Sequence, residues 1–275
     1  QLQLDGSGGN DAATMIDGPG ADAFTGEPTQ TLMRYEGGGT YRVNGFGSVE
    51  ARAIGGGADV AYLFDGDGED TFTGRQASSS MKYAAGSLVT AVGFPVVYAY
   101  SFSPNGNDSA ILYDSPAADR FVATPDVGYF VYGGTSGGMN SARSFEHVTA
   151  SSSSGNDEAL FLDSPTLDPL DPLRNNDLFS SDAQSGVASM TNAPGSYDNR
   201  AVGFAWASAT ATLGFDQAAL AGSPGNDYLV TNGAMGLGYL ISPAGTSLVT
   251  GFDQVVSSGG GGSDTAQMFD SPQDD

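Results

Sequence analysis

The sequence contains no cysteine, which excludes disulfides, zinc–thiolate centres and cysteine nucleophiles. Basic residues are also scarce. One lysine, Lys82, and eight arginines stand against 32 acidic residues, and the formal net charge is −23. Because phosphate binding requires clustered Lys and Arg, this balance argues against nucleic acid and against an anionic membrane surface as partners. No apolar run approaches the roughly 18 residues of a membrane-spanning helix, so the sequence predicts no membrane insertion.

Glycine, in contrast, is abundant, with 41 residues, while charged residues make up only 15% of the chain. This composition is typical of many tight turns and argues against a helical bundle. The acidic surface suits a protein in a salty medium or one that binds cations. Because the sequence begins with Gln1 rather than Met, we expect a processed form or a segment of a longer repeat protein. We predict a secreted, extracellular or cell-surface location, in a bacterium.

An acidic phrase recurs along the chain, as in "GNDSAILYDSPAADRF" at residues 106–121. One aspartate anchors each copy: Asp11, Asp59, Asp108, Asp157, Asp227 and Asp264. The first three intervals are 48, 49 and 49 residues, and the next two are 70 and 37. A second aspartate recurs six positions after the anchor, at Asp17, Asp65, Asp114, Asp163 and Asp270. A phenylalanine column closes the repeat, at Phe46, Phe94, Phe145, Phe215 and Phe252.

The repeat predicts a solenoid, because a fixed period of this size is the mark of stacked units. Apolar residues alternate within each copy, as in "DVAYLFD" (59–65), and Gly, Pro, Asn and Asp cluster between the alternating stretches. Alternation predicts strands with one buried face, and the clusters predict turns. We therefore predict an all-β parallel β-solenoid (β-helix) that spans residues 1–275 as a single elongated domain, with about two coils per 49-residue repeat. A β-propeller-like repeat is the alternative, since blades of about 40–50 residues also recur.

Residues 164–202 interrupt the pattern with a Pro- and Asp-rich stretch that begins "SPTLDPLDPLRNND". We predict an irregular insertion here. Insertions in solenoids map to loops on one face, which is often the binding face. A surface insertion without a function is the other interpretation.

Two turns, "GPGADAFTG" (18–26) and "GDGEDTFTG" (66–74), fit the pattern G-x-G-x-D-x-U-x-G. In these turns the sequence resembles the RTX repeats of large secreted bacterial surface proteins, whose Gly–Asp turns bind Ca²⁺. The resemblance implies Ca²⁺ as a cofactor, with Asp22 and Asp70 at the ligand position. Six aspartates match the shorter Gly–Asp half of the motif: Asp11, Asp59, Asp108, Asp157, Asp227 and Asp264. The first four of them are predicted as further metal ligands.

The same aspartates have a structural interpretation. Stacked coils bring like carboxylates together, and like charges repel unless they are hydrogen-bonded, hydrated or neutralised by a cation. A Ca²⁺ ion would neutralise them. Alternatively, each aspartate accepts hydrogen bonds from turn amides and caps its strand.

The enzymatic candidates are the aspartates of the 164–202 stretch, because paired carboxylates can hydrolyse glycosidic bonds. They are Asp168, Asp171, Asp177 and Asp182. The one histidine, His147, stands where other repeats carry filler residues, and we predict a structural role for it. The match to G-x-S-x-G at 134–138 lacks the strand-to-helix context of a nucleophile elbow. The sequence leans towards a non-enzymatic protein, with a polysaccharide-active β-helix enzyme as the alternative.

Aromatic residues offer a second kind of site. Tyr62, Tyr98, Tyr100, Tyr113 and Trp206 would bind an extracellular polysaccharide if they shared an exposed face, and are otherwise cross-strand partners. We predict a structural β-solenoid with a spacer, matrix or adhesive role, and a glycan-binding module as the alternative. Because solenoid ends present unpaired backbone groups, we also predict head-to-tail self-association into fibres.

Overall fold

The computed structural model of the chain describes residues 2–6, 10–103, 106–134, 137–163, 175–192 and 194–269. These residues belong to two compact units: Gln1–Ser115 with Tyr129–Val148, and Pro116–Gly128 with Thr149–Asp275. Each unit is built from short strands in two sheets, in which successive coils pair in parallel. The predicted all-β solenoid is confirmed, and the strands do not form the separate blades of a propeller.

The first unit contains thirteen complete strands. They are β1 (Leu2–Asp5), β2 (Ala12–Ile16), β3 (Ala23–Gly26), β4 (Gln30–Arg34), β5 (Thr40–Asn44), β6 (Ser48–Arg52), β7 (Val60–Phe64), β8 (Thr71–Gly74), β9 (Ser78–Lys82), β10 (Leu88–Val92), β11 (Val96–Tyr100), β12 (Ser109–Tyr113) and β15 (Met139–Arg143). One sheet has the order β1-β5-β4-β3-β7-β11-β15, and the other has the order β2-β6-β10-β9-β8-β12.

The second unit contains twelve complete strands. They are β13 (Arg120–Ala123), β17 (Glu158–Leu162), β18 (Asp177–Asp182), β19 (Val187–Asn192), β20 (Asp198–Val202), β21 (Trp206–Thr210), β22 (Gln217–Ala221), β23 (Tyr228–Asn232), β24 (Leu237–Ser242), β25 (Gly245–Thr250), β26 (Gln254–Ser258) and β27 (Thr265–Phe269). Its sheet orders are β13-β17-β21-β25-β24-β23-β27 and β20-β19-β18-β22-β26. A short 3-10 helix, Gly233–Met235, follows β23. Two further strands, β14 (Val127–Val131) and β16 (His147–Ser151), are divided between the units.

One repeat contributes five strands. A first strand, such as β2, lies in one sheet, and the next three, β3–β5, form an antiparallel meander in the other sheet. A last strand, β6, then returns to the first sheet and pairs in parallel with β2. The order recurs in β7–β11, β17–β21 and β22–β26. The meander places three consecutive strands side by side in one sheet. A repeat therefore crosses between the two sheets fewer times than the predicted pair of coils would.

The core lies between the two sheets of each unit, where alternate side chains of the strands meet. In the meanders, large apolar residues pair across the first two strands: Phe24 with Met33, Phe72 with Met81, Phe179 with Met190, and Leu229 with Leu240. The first six of these side chains are at most 1% exposed. Period-two alternation therefore predicted the buried face of these strands correctly.

A tight corner leads from each meander to the last strand and requires a left-handed backbone. The residues with positive φ are Gly45 (69°), Gly93 (78°), Ser144 (61°), Gly203 (79°) and Gly251 (79°). A Cβ on Gly203 would lie 2.4 Å from the carbonyl oxygen of Ser152, so glycine also provides space there. The phenylalanine after this corner in the fourth repeat is Phe204. The prediction that Phe215 belongs to this phenylalanine column is wrong, because Phe215 lies before β22 and its side chain is 53% exposed.

The anchor of the fifth repeat is also corrected by the structure. Asp227 precedes β23, a meander strand, and so corresponds to Asp22 and not to Asp11. Asp216 precedes β22, the first strand of that repeat, and is the true anchor. The intervals from Asp157 are then 59 and 48 residues, so the expansion is to 59 residues instead of 70, and the predicted contraction to 37 disappears.

The described part of the predicted insertion is regular. Within 164–202, β18, β19 and β20 form an ordinary meander with antiparallel pairing. The additional residues of this repeat lie between Asp163 and Asp177, which are fourteen positions apart where Asp17 and Asp22 are five apart.

Candidate metal sites at the aspartate turns

Three aspartates of the first unit meet at one turn. Asp17 follows β2 and Asp22 precedes β3, so they stand at the two ends of the connection between these strands. Asp59 precedes β7, which pairs in parallel with β3, and this pairing places Asp59 beside Asp22. One carboxylate oxygen from each residue lies within 4.8 Å of the other two, and all three side chains are buried.

These carboxylates accept hydrogen bonds from backbone amides. Oδ1 of Asp17 accepts from the amides of Ile54 and Gly55, both at 2.8 Å. Asp22 accepts from two amides of its own repeat, at 2.6 and 2.9 Å. Oδ1 of Asp59 accepts from the amide of Asp22 at 2.8 Å. The carboxylates therefore hold neighbouring turns together, in agreement with the capping interpretation.

One of these hydrogen bonds recurs in both units. In each case the backbone amide of the aspartate before the first meander strand donates to Oδ1 of the anchor aspartate of the next repeat. The pairs are Asp22–Asp59 (2.8 Å), Asp70–Asp108 (2.6 Å), Asp119–Asp157 (2.7 Å), Asp177–Asp216 (2.8 Å) and Asp227–Asp264 (3.0 Å). A hydrogen bond to a charged acceptor contributes about 1.5–3 kcal/mol. The acidic phrase is thus repeated because the turn of each new repeat needs such an acceptor.

The second unit has a corresponding group, formed by Asp163, Asp177 and Asp216. Again one oxygen of each lies within 4.8 Å of the others, and all three are buried. Asp163 accepts from both the backbone amide and the hydroxyl of Thr212. Asp177 accepts from the hydroxyl of Tyr197 at 2.5 Å. Two groups of buried carboxylates therefore occupy equivalent turns of the repeat.

Burial makes the charged state of several of these aspartates unfavourable. It raises the pKa of Asp216 to about 7, and the charges of Asp177 and Asp163 act in the same direction. Burial also raises the pKa of Asp59 and of Asp108, although the backbone amide that each accepts from opposes the shift. A bound cation would relieve this cost, because an opposite charge favours the ionised form.

The geometry of the two groups suits a hard cation. Ca²⁺ holds carboxylate oxygens at about 2.3–2.6 Å, so two oxygens on one ion lie no more than about 5 Å apart. The oxygens of each group lie within 4.8 Å of one another. The donors are all oxygen, which is the set that Ca²⁺, Mg²⁺ and Mn²⁺ prefer. These clusters of buried aspartates can bind a metal ion.

The predicted metal residues are only partly brought together. Asp22 and Asp59 lie in the first group. Asp70, Asp108 and Asp157 take part in the recurring hydrogen bond, but within the described ranges they belong to no group of three carboxylates.

Asp11, the remaining predicted ligand, is also in neither group. It precedes β2, and its backbone carbonyl accepts from the amide of Ser48. The sequence pattern does not predict Asp17, Asp163 or Asp216 as metal ligands. The column six positions after the anchor contains Asp17 and Asp163, and a correct fifth anchor would have identified Asp216.

The catalytic candidates have separate outcomes. Asp168 and Asp171 lie outside the described residues. Asp177 is buried in the second group and takes the role of Asp22 in its repeat, although it was predicted as a catalytic residue of a loop. Asp182 accepts from the hydroxyl of Ser185 at 2.8 Å, which together with nearby amides lowers its pKa below the ordinary value. It acts as a turn cap.

Two weaker sequence signals can be located. His147 begins β16, and its Nε2 lies 3.1 Å from Oδ1 of Asn107. Of the G-x-S-x-G match at 134–138, Thr135 and Ser136 lie outside the described residues.

Three of the predicted aromatic residues share a face of the first unit. Tyr62 stacks on Tyr98 with ring centroids 5.7 Å apart, and in the adjacent row Phe64 stacks on Tyr100 at 5.1 Å. Phe102, which is 63% exposed, stacks on Tyr100 in turn. Much of the face of each ring therefore packs against another ring, as is usual for cross-strand aromatic pairs.

The other two predicted aromatic residues lie elsewhere. Tyr113 belongs to β12 in the other sheet, where the guanidinium of Arg75 lies 3.6 Å from its ring centroid. Trp206 belongs to the second unit and packs beside Tyr239.

Comparisons of the chain with protein-family models, curated proteins and solved structures give no match. In the part of the chain that the structure describes, no helix has the length and apolar character to cross a membrane.

Proposed function

We propose that this chain is a non-enzymatic structural β-solenoid of the extracellular medium or of a bacterial cell surface, with a spacer, matrix or adhesive role. The observation that carries the proposal is the recurring hydrogen bond between consecutive aspartate turns. It gives the repeated acidic phrase a role in stacking coils. The anchor and turn aspartates of these five pairs are mostly buried against backbone amides, which does not suit a substrate-binding carboxylate.

Calcium binding at the two aspartate groups is part of the proposal. Three carboxylates in one buried turn carry a formal charge of about −3, and a divalent cation offsets the cost of ionising them. The resemblance of the Asp22 and Asp70 turns to RTX motifs supports Ca²⁺ over other hard cations. In an extracellular setting Ca²⁺ is available at millimolar levels, so sites of about 10⁻⁴–10⁻³ M affinity would be filled.

A calcium titration followed by circular dichroism and thermal melting, with EGTA as the reference, tests this part. We expect Ca²⁺ to raise the melting temperature, and a ligand at about 100 times its dissociation constant adds about 2.7 kcal/mol. The variant Asp59→Asn should lose part of this gain while its amide oxygen still accepts from Asp22. Asp67→Asn, at an exposed position of the next turn, is the matched control. An unchanged melting curve with and without Ca²⁺ would leave the aspartates as turn caps only.

A glycan-binding module is the second candidate, because Tyr62, Tyr98 and Tyr100 share one face with the exposed Phe102. Exposed aromatic rings at the end of such a stack can pack against sugar rings. Affinity electrophoresis in gels that contain neutral or acidic polysaccharide tests it. Phe102→Ala should abolish any retardation, whereas Tyr228→Ala, at a partly exposed tyrosine of the second unit, should not.

Self-association through open strand edges completes the proposal. Among the described residues, β1 pairs only with β5, and β27 pairs only with β23, so each has an unpaired edge. Unpaired edges are templates for another chain. Sedimentation velocity over a wide concentration range should show oligomers, and a monomer throughout would contradict this part.

A further inference from the structure

One sheet of the first unit carries positive charge on its outer face, although the chain as a whole has a net charge of −23. The face is formed by β5, β4, β3, β7, β11 and β15, which are neighbours in that order. These six strands contain three arginines, Arg34, Arg42 and Arg143, and no acidic residue. Each arginine lies next to a buried residue of its strand, so its own side chain lies on the outer face. We call the outer face of these six strands the arginine face.

Acidic residues beside the arginine face are engaged in the turns at the strand ends. Asp59, before β7, is buried and accepts a hydrogen bond from the amide of Asp22 at 2.8 Å. Asp65, after β7, accepts from the amides of Phe102 and Ser103 at 2.9 and 2.8 Å. The side chains of the three arginines, in contrast, form no ion pair or hydrogen bond with any described residue. The arginines are therefore available to an external anion.

One of these arginines lies beside the most exposed ring of the face. Arg143 is exposed and lies opposite Tyr100 in the parallel pair of β11 and β15, and its carbonyl accepts from the amide of Ser101 at 2.9 Å. Phe102 follows directly and is 63% exposed. Its ring stacks on Tyr100 with centroids 5.4 Å apart, and Tyr100 stacks on Phe64 behind it. Backbone pairing and ring stacking thus hold a guanidinium and an open ring side by side.

A guanidinium beside an open aromatic ring suits an acidic sugar. The apolar side of a sugar ring can pack on an aromatic ring. A uronic acid also carries a carboxylate at the edge of its ring, and the planar guanidinium of arginine binds a carboxylate through two parallel hydrogen bonds. A neutral sugar would use the ring of Phe102 and leave Arg143 without an acceptor. The charge of the face therefore favours the acidic sugar.

We propose that the arginine face binds a polysaccharide of uronic acids, with one sugar ring on Phe102 and its carboxylate on Arg143. The polymer would cross the strands beside Tyr98 and Tyr62 and reach Arg42, which is five strand spacings, or about 24 Å, from β15. At 0.15 M salt, screening acts over about 8 Å, so the acidic residues elsewhere on the chain repel the polymer only weakly. The inference rests on the glycan-binding candidate of the proposed function and names its class of glycan.

The test compares two polymers with the same backbone, polygalacturonate and its fully methyl-esterified form, which carries no charge. Both are immobilised, and binding of the full chain is measured by biolayer interferometry in 0.15 M NaCl with EGTA, which removes the calcium that cross-links polygalacturonate. We expect polygalacturonate to bind at least fivefold more tightly than its ester. Arg143→Gln should weaken binding to polygalacturonate by about three- to fivefold, as expected for an exposed ion pair. Arg143→Lys should restore part of the loss, since it keeps the charge without the planar fork.

Arg200→Gln is the matched control, because it removes an exposed arginine of the second unit and changes the net charge equally. It should bind polygalacturonate as the wild type does. An equal loss in Arg200→Gln and Arg143→Gln would show a response to net charge alone and would overturn the inference. Equal binding of both polymers that is lost in Phe102→Ala but kept in Arg143→Gln would also overturn it, while the glycan-binding candidate would stand. Binding to neither polymer would remove both.

Discussion

At the scale of single residues, three tyrosines in one column of the repeat differ in what their hydroxyls contact. Tyr35 donates to the carbonyl of Ile16 at 2.7 Å, and Tyr132 donates to the carbonyl of Tyr113 at 3.1 Å. The hydroxyl of Tyr83 is buried and has no hydrogen-bond partner in the described structure. Burial, and after it the charge of Asp70, raises the pKa of Tyr83 above its ordinary value. The column thus provides paired and unpaired versions of one group.

This difference predicts different responses to removal of the hydroxyl. Tyr132→Phe should lower the free energy of unfolding by about 1–2 kcal/mol, since it leaves Asn140, which donates to this hydroxyl at 2.8 Å, without an acceptor there. Tyr83→Phe should be neutral or stabilising, because it removes an unpaired buried polar group. Urea unfolding of the two variants checks this. A loss in Tyr83→Phe as large as that in Tyr132→Phe would contradict it.

The raised pKa of Asp216 predicts how stability depends on pH in the absence of a bound cation. Its folded-state pKa is about 7 against an ordinary 3.8, so folding favours the protonated form. This contribution to stability is fully present below about pH 3.8 and is lost as the pH rises through about 7. Asp59 and Asp108 are shifted in the same direction.

In EGTA, the melting temperature should therefore fall as the pH is raised from about 5 to about 8. Asp216→Asn should flatten this slope, whereas Asp126→Asn, at an exposed position of the same unit, should leave it unchanged. Identical slopes in the wild type and in Asp216→Asn would show that the carboxyl of Asp216 does not titrate in this range.

At the scale of elements, the corner before the last strand explains one departure from the repeat. Ser144 is the one non-glycine residue with positive φ in the described ranges, at 61°. A left-handed backbone costs a residue with a side chain about 1–2 kcal/mol. Ser144→Gly should therefore stabilise the chain by up to about 1 kcal/mol, after the added entropy of the unfolded glycine is subtracted.

The same corner in another repeat supplies the opposite test. Gly203→Ala should destabilise by more than 1–2 kcal/mol, because it adds both backbone strain and a Cβ only 2.4 Å from the carbonyl oxygen of Ser152. Thermal melts of the two variants measure both effects. If the two substitutions shifted the melting temperature in the same direction, the corner would not need the left-handed conformation.

Element type could be predicted from the sequence, but the path of the chain could not. Alternation identified strands and their buried faces, since a period of two is local information. It did not reveal that each meander lies in the sheet opposite to its flanking strands, because first, meander and last strands share one apolar pattern. Which sheet a strand joins depends on pairing with residues about 37 positions away, as between Asp22 and Asp59.

The misplaced anchor has a similar cause. "GFD" at 214–216 resembles the corner "GFD" at 251–253, and the sequence alone does not distinguish them. The structure separates them by environment, since Phe252 is 3% exposed and Phe215 is 53% exposed. The same error affects the prediction of metal-ligating residues. The turn motif predicts Asp22 and Asp59 as metal ligands. It does not predict Asp216, because the sequence pattern places the anchor of that repeat at Asp227.

At the scale of the whole molecule, a net charge of −23 opposes folding by self-repulsion, and any salt relieves part of it. Calcium could therefore stabilise the chain in two ways, by general screening or by binding at the two aspartate groups. The two differ in reach. Screening at about 0.1 M salt acts over about 10 Å on every exposed charge, whereas binding depends on a few buried oxygens.

We expect about 1 mM Ca²⁺ to raise the melting temperature by more than NaCl at the same ionic strength, because the binding energy of a site is not matched by screening. In the double variant Asp59→Asn, Asp216→Asn, the effect of Ca²⁺ should shrink to that of NaCl, since one group in each unit loses a carboxylate. Thermal melts of both proteins in the two salts, with EGTA as the baseline, decide between the mechanisms. If Ca²⁺ and NaCl act equally on the wild type, the buried aspartates serve only to join turns, and the solenoid must owe its stability to their hydrogen bonds and to the apolar core.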